Sequence, residues 1–340
     1  MKALKAPPPS AAELRREIDR LAGAGLADLG FCEKDLTQAA SLTWRINALK
    51  GERQAVIPGH VYQRPELLVG VADFVGDSYK LAKLCTESKA KTIVFCGVRF
   101  MAETASILCP EKTVLMPDPD AGCPMADMIT ALQLRELKAQ HPGAVVVTYV
   151  NSSAEVKAET DVCCTSSNAV KVVQSLKDAK EIIFVPDQYL GAYVAKQTGR
   201  EMILWQGYCP THMRITPEHI QRQKAAHPAA EVIVHPECTQ PVVALADYAL
   251  STEGICRRAH ESGAKEFIIG TELGVMYRLK NENPGKIFYP ATEFALCPNM
   301  KKTTLEKILW CLEGMKNEVR VPEDVRVRAR RAVDRMIAIV

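Results

Sequence analysis

The sequence predicts an α/β protein made of three homologous three-layer α/β/α modules, with parallel sheets, around a pseudo-threefold axis. Three observations predict it. Short β-branched runs alternate with helical patterns, as in parallel strands joined by crossover helices and covered on both faces. One pattern occurs three times and closes each time on Cys-Pro, at Cys123-Pro124, Cys209-Pro210 and Cys297-Pro298, with spacings of 86 and then 88 residues. Inside each copy an aspartate is followed five positions later by a hydroxyl: Asp73 to Ser78, Asp161 to Ser166, Asp247 to Thr252. Repeats of this length are too long for a solenoid and suit small α/β modules.

The elements follow in order. In the first copy AVIPGH reads as a strand, SYKLAKLCTES as the helix after Ser78, TIVFCG as a strand, MAETASIL as a helix and TVLMPD as a strand. The second copy repeats this with AVVVTYV, NAVKVVQSL, EIIFVP, YLGAYVAKQ and MILW, and the third with EVIVHP, GICRRAHES, EFIIG, VMYRLK and KIFYP. The modules are expected at 41–124, 125–210 and 211–297, after an N-terminal extension, 1–40. Amphipathic segments at 298–340 are expected to pack on the first module.

Composition fits a compact protein: 340 residues, 47% hydrophobic and 24% charged, with 43 Lys+Arg against 40 Asp+Glu. A nucleic-acid partner would call for a basic face or stripe. The one basic run, Arg326 to Arg335, reads as the solvated side of a terminal helix. The N-terminus lacks the apolar core of a signal peptide and no stretch of eighteen apolar residues occurs, so a cytoplasmic protein without membrane contact is expected.

Twelve cysteines in such a chain are not expected to form a disulfide framework. Cys32, Cys85, Cys96, Cys256 and Cys311, with the adjacent pair Cys163-Cys164, read as small buried hydrophobes. Cys109-Pro110 is a fourth Cys-Pro but closes no module.

Each copy also opens with two polar residues one apart at a strand end: His60 and Tyr62, Tyr149 and Asn151, His235 and Glu237. Ligands of open parallel sheets bind beyond the carboxyl ends of the strands, where these residues fall. Ser78, Ser166 and Thr252 are expected at helix starts, as caps or as anion sites. Three thiols without a Cys-x-x-Cys knuckle suit an iron-sulfur cluster with one iron lacking a protein ligand. A three-cysteine zinc site completed by His212 or His235 is the competing metal reading.

The stretches GHVYQRPE, ADFVGDS, VFCGVRFMAETA, MPDPDAGCPMADM, VTYVNSSAEVKAETDVCCTSSNAV, VIVHPEC and CPNMKK resemble the quinolinate synthase family of NAD biosynthesis, over about Val56 to Met300. The resemblance implies condensation of iminoaspartate with dihydroxyacetone phosphate to quinolinate, phosphate and water. It also implies a 4Fe-4S cluster bound by Cys123, Cys209 and Cys297. Transient contact with the enzyme supplying iminoaspartate is a further expectation. On that basis Glu237 is expected as a base with a pKa raised by burial and like charge. His60 and Tyr62 are expected to serve the triose phosphate, and Tyr149 and Asn151 the substrate carboxylates. Ser78, Ser166 and Thr252 are assigned to anions, and Val150, His235 and Pro236 join the substrate-binding set. The competing functions are an aconitase-like hydro-lyase acting on one diacid and an iron-sulfur sensor or carrier.

Overall fold

The structure, a computed structural model, describes residues 7–339; Met1–Ala6, at the start of the expected extension, and Val340 lie outside the described residues. It is α/β, and every pairing between its strands is parallel. Helices alternate with the strands, the arrangement of a three-layer α/β/α fold. Among the described residues no helix is long and apolar enough to cross a membrane. The chain divides into two compact units.

The first unit runs to Gly122 and takes in Pro298–Arg320. It contains β1 (Ala55–Val56), β2 (Pro58–His60), β3 (Phe74–Gly76), β4 (Thr92–Val94) and β5 (Thr113–Leu115), in sheets ordered β1-β4-β5 and β2-β3. The single strand expected at AVIPGH is therefore interrupted. Pro58 has no N–H to continue the ladder, and pairing resumes beyond it with a parallel bridge between Gly59 and Cys96. The helix Ala11–Leu21 starts from a Ser10/Glu13 capping box. Its Arg20 donates to the Val69 and Gly70 carbonyls at 2.7 and 3.1 Å, covering the open end of the helix Pro65–Gly70. The boundary expected at residue 40 falls inside one helix, Glu33–Arg53. The helix Leu305–Gly314 lies against that helix, whose Arg53 donates to the Leu312 and Glu313 carbonyls at 3.2 and 3.1 Å.

The second unit spans Cys123–Cys297 and resumes at Val321. Its two sheets have one plan. β6 (Val145–Tyr149), β7 (Val162–Cys164), β8 (Ile182–Val185) and β9 (Ile203–Leu204) are ordered β7-β6-β8-β9. β10 (Glu231–Val234), β11 (Tyr248–Ala249), β12 (Glu266–Gly270) and β13 (Ile287–Pro290) are ordered β11-β10-β12-β13. Val146, Ile183 and Val185 pack with Leu134 and Val156 in one core, and Val232, Val234 and Ile268 with Ile220 and Val242 in the other.

The last helix, Glu323–Ala338, corrects the expectation that all of 298–340 packs on the first module. It lies on the helix Ala154–Ala158 and on β7, in the second unit. Ala329, Ala332, Val333 and Met336 form its buried stripe at three- and four-residue spacing. Asn168 Nδ2 closes its end by donating to the Met336 and Ile339 carbonyls at 3.1 and 3.0 Å. Its basic run is spent on surface pairs such as Arg326–Glu323, Arg328–Glu159 and Arg330–Asp334.

Each repeat also holds a short second strand, β3, β7 or β11, that sequence reading missed. These strands are two or three residues long and are wedged between the aspartate and the hydroxyl, too short for periodicity to register. The aspartate itself has one task in all three copies. Asp73, Asp161 and Asp247 accept the backbone N–H of Ile57, Val146 and Val232 at 2.7, 2.8 and 2.8 Å. Each aspartate's own N–H returns to the carbonyl of the same partner at 2.9, 3.2 and 2.9 Å. The carboxylate thus ties the head of the second strand to the first. Asp161→Ala should lower the denaturant midpoint by about 1 kcal/mol of stability, the net worth of one such bond. Asp161→Asn, which keeps an acceptor oxygen, should lose less; equal losses would remove the hydrogen bond as the cause.

Candidate active site and metal centre

The strand ends of the second unit collect most of the predicted polar residues. Tyr149 closes β6 and its hydroxyl donates to Glu237 Oε1 at 2.7 Å, with both side chains buried. His235 follows β10, its own N–H held by the Gly270 carbonyl at 2.9 Å. The N–H of Glu237 folds back on His235 Nδ1 at 3.3 Å. That hydrogen-bond network assigns the imidazole proton to Nε2, which faces Ser166 Oγ at 3.2 Å. The first unit repeats the turn: the Tyr62 N–H meets His60 Nδ1 at 3.2 Å and the two rings sit edge to face at 4.6 Å. The spacing of these pairs has a physical origin, because a strand that ends in a tight turn aims the second amide at the first side chain.

His212 completes the site; the sequence offered it only as the last ligand of the competing zinc reading. Its Nδ1 lies 2.7 Å from Glu237 Oε2 and 3.1 Å from Cys209 Sγ, while Nε2 meets Thr271 Oγ1 at 2.9 Å. Its ring stacks on that of His235, with centroids 4.8 Å apart. The available signal was its position three residues after a module-closing cysteine.

Burial pushes the Glu237 carboxyl up, but the neighbouring His212 and His235 imidazoles, with hydrogen bonds from His212 and Tyr149, outweigh it and hold the group well below the usual carboxylate range. This corrects the expectation of a raised pKa. Desolvation was foreseen, and the two imidazoles that repay it were not. Burial drives His235 down to about 3 despite Glu237, so its ring stays neutral. Asp187 goes the other way, well above the usual range, through burial and the Glu237 charge.

Cys123, Cys209 and Cys297 are half-buried, and all three belong to this unit. Burial raises the Cys123 thiol to about 12, and the Cys297 and Glu237 charges add to it. Burial, Glu237, Cys123 and Asp187 lift Cys209 well above its ordinary value. The Cys123 thiol thus feels Cys297, and the Cys209 thiol feels Cys123. Backbone N–H groups of Ala126 and Met125 point at the Cys123 sulfur and that of His212 at the Cys209 sulfur. Amide donors around thiols that are costly to ionise alone form a donor set suited to a cation, which would replace the protons. Ligand atoms of Cys209, His212 and Glu237 also lie within 4.8 Å of one another. The residues fit a metal centre. Of the cysteines read as packing residues all are buried except Cys32, which is exposed at the cap of the helix Glu33–Arg53.

The expected hydroxyl caps are displaced by one residue. Asp77 caps the helix Ser78–Glu87 by accepting from the Lys80 N–H at 3.0 Å, and Ser251 caps Thr252–Glu261 by accepting from the Gly254 N–H at 3.2 Å. Ser78 and Thr252 are the first helical residues instead. Ser166 lies in the turn before the helix Ala169–Ser175, and the neighbouring Ser167 hydroxyl reaches that of Ser251 at 3.0 Å. Val150 and Pro236 are buried in the strand exits, with the Val150 N–H on the Cys164 carbonyl at 2.8 Å. Asn151 Oδ1 is buried without a hydrogen-bond partner. His60, Tyr62 and Ser78 belong to the first unit and the other predicted site residues to the second.

Comparison with known proteins agrees with this chemistry. The chain is 56% identical to a quinolinate synthase of Dehalococcoides mccartyi (strain CBDB1) over 299 residues, 88% of this chain and 98% of that one. It is 56% identical to a quinolinate synthase of Geobacter metallireducens over 302 residues, 89% and 99% of the two chains. It is 53% identical to quinolinate synthase 1 of Methanosarcina acetivorans, again over 302 residues and 89% and 99% of the chains. A family model described as quinolinate synthetase A protein matches residues 44–338, and the chain belongs to that family.

Proposed function

We propose that the chain condenses iminoaspartate with dihydroxyacetone phosphate, giving quinolinate, inorganic phosphate and two waters, and that Cys123, Cys209 and Cys297 hold a 4Fe-4S cluster. The observation that carries this reading is the contact of one ionised carboxylate, Glu237, with Tyr149 and with a histidine that also touches a cysteine sulfur. A cluster held by three thiolates supplies a Lewis-acidic iron open to a substrate oxygen or nitrogen.

The protein's own groups move the protons. Glu237, ionised and buried, takes a proton from carbon or nitrogen during tautomerisation and dehydration. Tyr149 and His212 fix its two oxygens and stabilise the charge until substrate arrives. His235, neutral and protonated at Nε2, keeps Ser166 oriented. Because the Tyr149 hydroxyl is engaged with Glu237, substrate carboxylates fall to the Asn151 side chain and to Ser166 and Thr252 at the helix starts. His60 and Tyr62 are assigned proton transfer at the triose phosphate, with Ser78 as an anion contact. The pseudo-threefold arrangement of the modules is part of the same proposal. An imine that hydrolyses readily favours transient contact with the enzyme that makes it, and an oxygen-sensitive cluster favours the reducing cytoplasm.

One observation favours a second reading. Cys209, His212 and Glu237 could hold a single divalent ion, although this leaves Cys123 and Cys297 without a role. Iron and sulfide in equal amounts on anaerobically purified protein, with phosphate release when iminoaspartate is generated in place, is the result expected of the synthase. A single zinc and no sulfide would support the alternative, and a cluster without phosphate release would leave a hydro-lyase or a sensor.

Glu237→Gln should load the cluster normally and lose about 10²–10⁴-fold in turnover, the usual range for one general acid-base group. Full activity in that variant would remove Glu237 as the base. Replacing any one of the three cysteines by serine should abolish the visible absorption of the cluster together with turnover.

A further inference from the structure

Strand β12 leaves the sheet at Gly270, and the next two residues, Thr271 and Glu272, are 2% and 1% exposed. Burying a carboxylate that deeply is costly unless donors replace the water it has lost. Glu272 Oε2 accepts from the Gly274 N–H at 2.6 Å, ahead of the helix Val275–Glu282. Glu272 Oε1 accepts from the backbone N–H of Cys297 at 3.1 Å. One side chain thus joins the end of a central strand to the loop that delivers a sulfur ligand. Beside it, Thr271 Oγ1 meets His212 Nε2 at 2.9 Å.

The sister sheet separates the ordinary part of this arrangement from the special part. Register pairs Thr148 with Val185 in one sheet and Val234 with Gly270 in the other, so Asp187 occupies the place of Glu272. Asp187 is fully buried, and its Oδ1 caps the following helix through the N–H groups of Tyr189 and Leu190 at 2.8 and 2.9 Å. Its other oxygen has no partner. Both acids thus hold a backbone N–H where the next helix begins, Asp187 as its cap and Glu272 through the Gly274 N–H just ahead of it. The reach to a cysteine amide belongs to the residue that is one methylene longer. In the second module the loop before Cys209 is tied by backbone alone: Asp187 and Gly207 form a parallel bridge and the Gln188 N–H donates to the Gly207 carbonyl at 2.9 Å, a bond that the third module matches with the Leu273 N–H on the Ala295 carbonyl. A side chain at position 207 would press into the Pro186 carbonyl oxygen, so glycine permits that approach.

We propose that Thr271 and Glu272 are a positioning pair, in which Glu272 sets the sulfur ligand Cys297 through its amide and Thr271 holds His212 between Cys209 and Glu237. The pair rests on the cluster reading above and acts only through the residues it holds. Without the Glu272 bond the Cys297 loop keeps its tie from the Leu273 N–H to the Ala295 carbonyl at 2.9 Å, so the fold persists while the sulfur loosens.

Glu272→Asp tests this, because it keeps the carboxyl group beside the Gly274 N–H and shortens the reach. After anaerobic reconstitution we expect this variant to lose iron and sulfide to a chelator at least ~10-fold faster than the wild type, the scale on which groups that orient metal ligands act. The melting point of the cluster-free chain should be unchanged, and Glu272→Gln, with its full length, should recover most of the lifetime. Thr271→Val should keep the cluster, lower kcat and shift its pH profile, with Thr271→Ser restoring both. Cluster lifetimes in Glu272→Asp equal to the wild type, or a Thr271→Val enzyme with an unaltered pH profile, would overturn the inference alone. A wild-type chain that takes up no iron and sulfide would overturn the reading beneath it as well. Should Glu272→Asp fail to fold, the Thr271 variants still decide the matter.

Discussion

Burying the Glu237 carboxylate is the constraint on which the rest of the site depends. An ionised group out of water costs several kcal/mol unless neighbours replace the solvent it has lost. Here the replacement consists of a phenol on one oxygen and an imidazole on the other, with a second imidazole close by. Each of those groups must then be held in turn. Tyr149 is fixed by ending β6, His235 by the Gly270 carbonyl and the Glu237 amide, and His212 by Thr271. The carboxylate therefore organises the exits of β6, β10 and β12 into one polar cluster inside an apolar unit.

Parallel sheets suit this task. All their strands point the same way, so the turns at one end supply side chains and unpaired amides together, and helix starts lie beside them. The Cys-Pro turns extend the same economy to the sulfurs. Proline at the second position directs the chain into a tight turn, and the amides that follow face back toward the thiol. This is seen at Cys123, approached by Met125 and Ala126, and at Cys209, approached by His212. Backbone donors lower the cost of a thiolate without adding a charge that would have to be buried too.

Much of this was legible in the chain because it is written three times. The aspartate-to-hydroxyl spacing, the polar pairs and the closing Cys-Pro keep register, and repetition separates them from the chemically similar Cys109-Pro110. What stayed hidden depends on contacts distant in sequence. His212 entered only as a competing zinc ligand and not as a partner of the carboxylate, since Glu237 and Thr271 come 25 and 59 positions later. The same distance concealed the sign of the Glu237 shift, because burial can be guessed from a sequence but the groups that repay it cannot. Ser78 and Thr252 were misjudged as caps for a local reason. Asp77 and Ser251 precede them, and either member of such a pair could have taken the role.

The two acids that follow the third strands show why repetition does not make the modules interchangeable. Both Asp187 and Glu272 accept backbone N–H groups where the next helix begins, which is all that the shared fold demands of them. Where the second module can bring its cysteine loop close by backbone alone, a shorter acid and a glycine are sufficient. The third keeps the matching backbone tie, and the extra methylene of its glutamate adds a second one to the Cys297 amide. Differences between repeats thus mark the places where a common scaffold had to be adapted to asymmetric chemistry. Tyr149 and Asn151 stand where His60 and Tyr62, or His235 and Glu237, stand in the other copies: under the proposed condensation of two unlike substrates, three identical strand ends would provide one kind of group where an acid, a base and a neutral donor are called for.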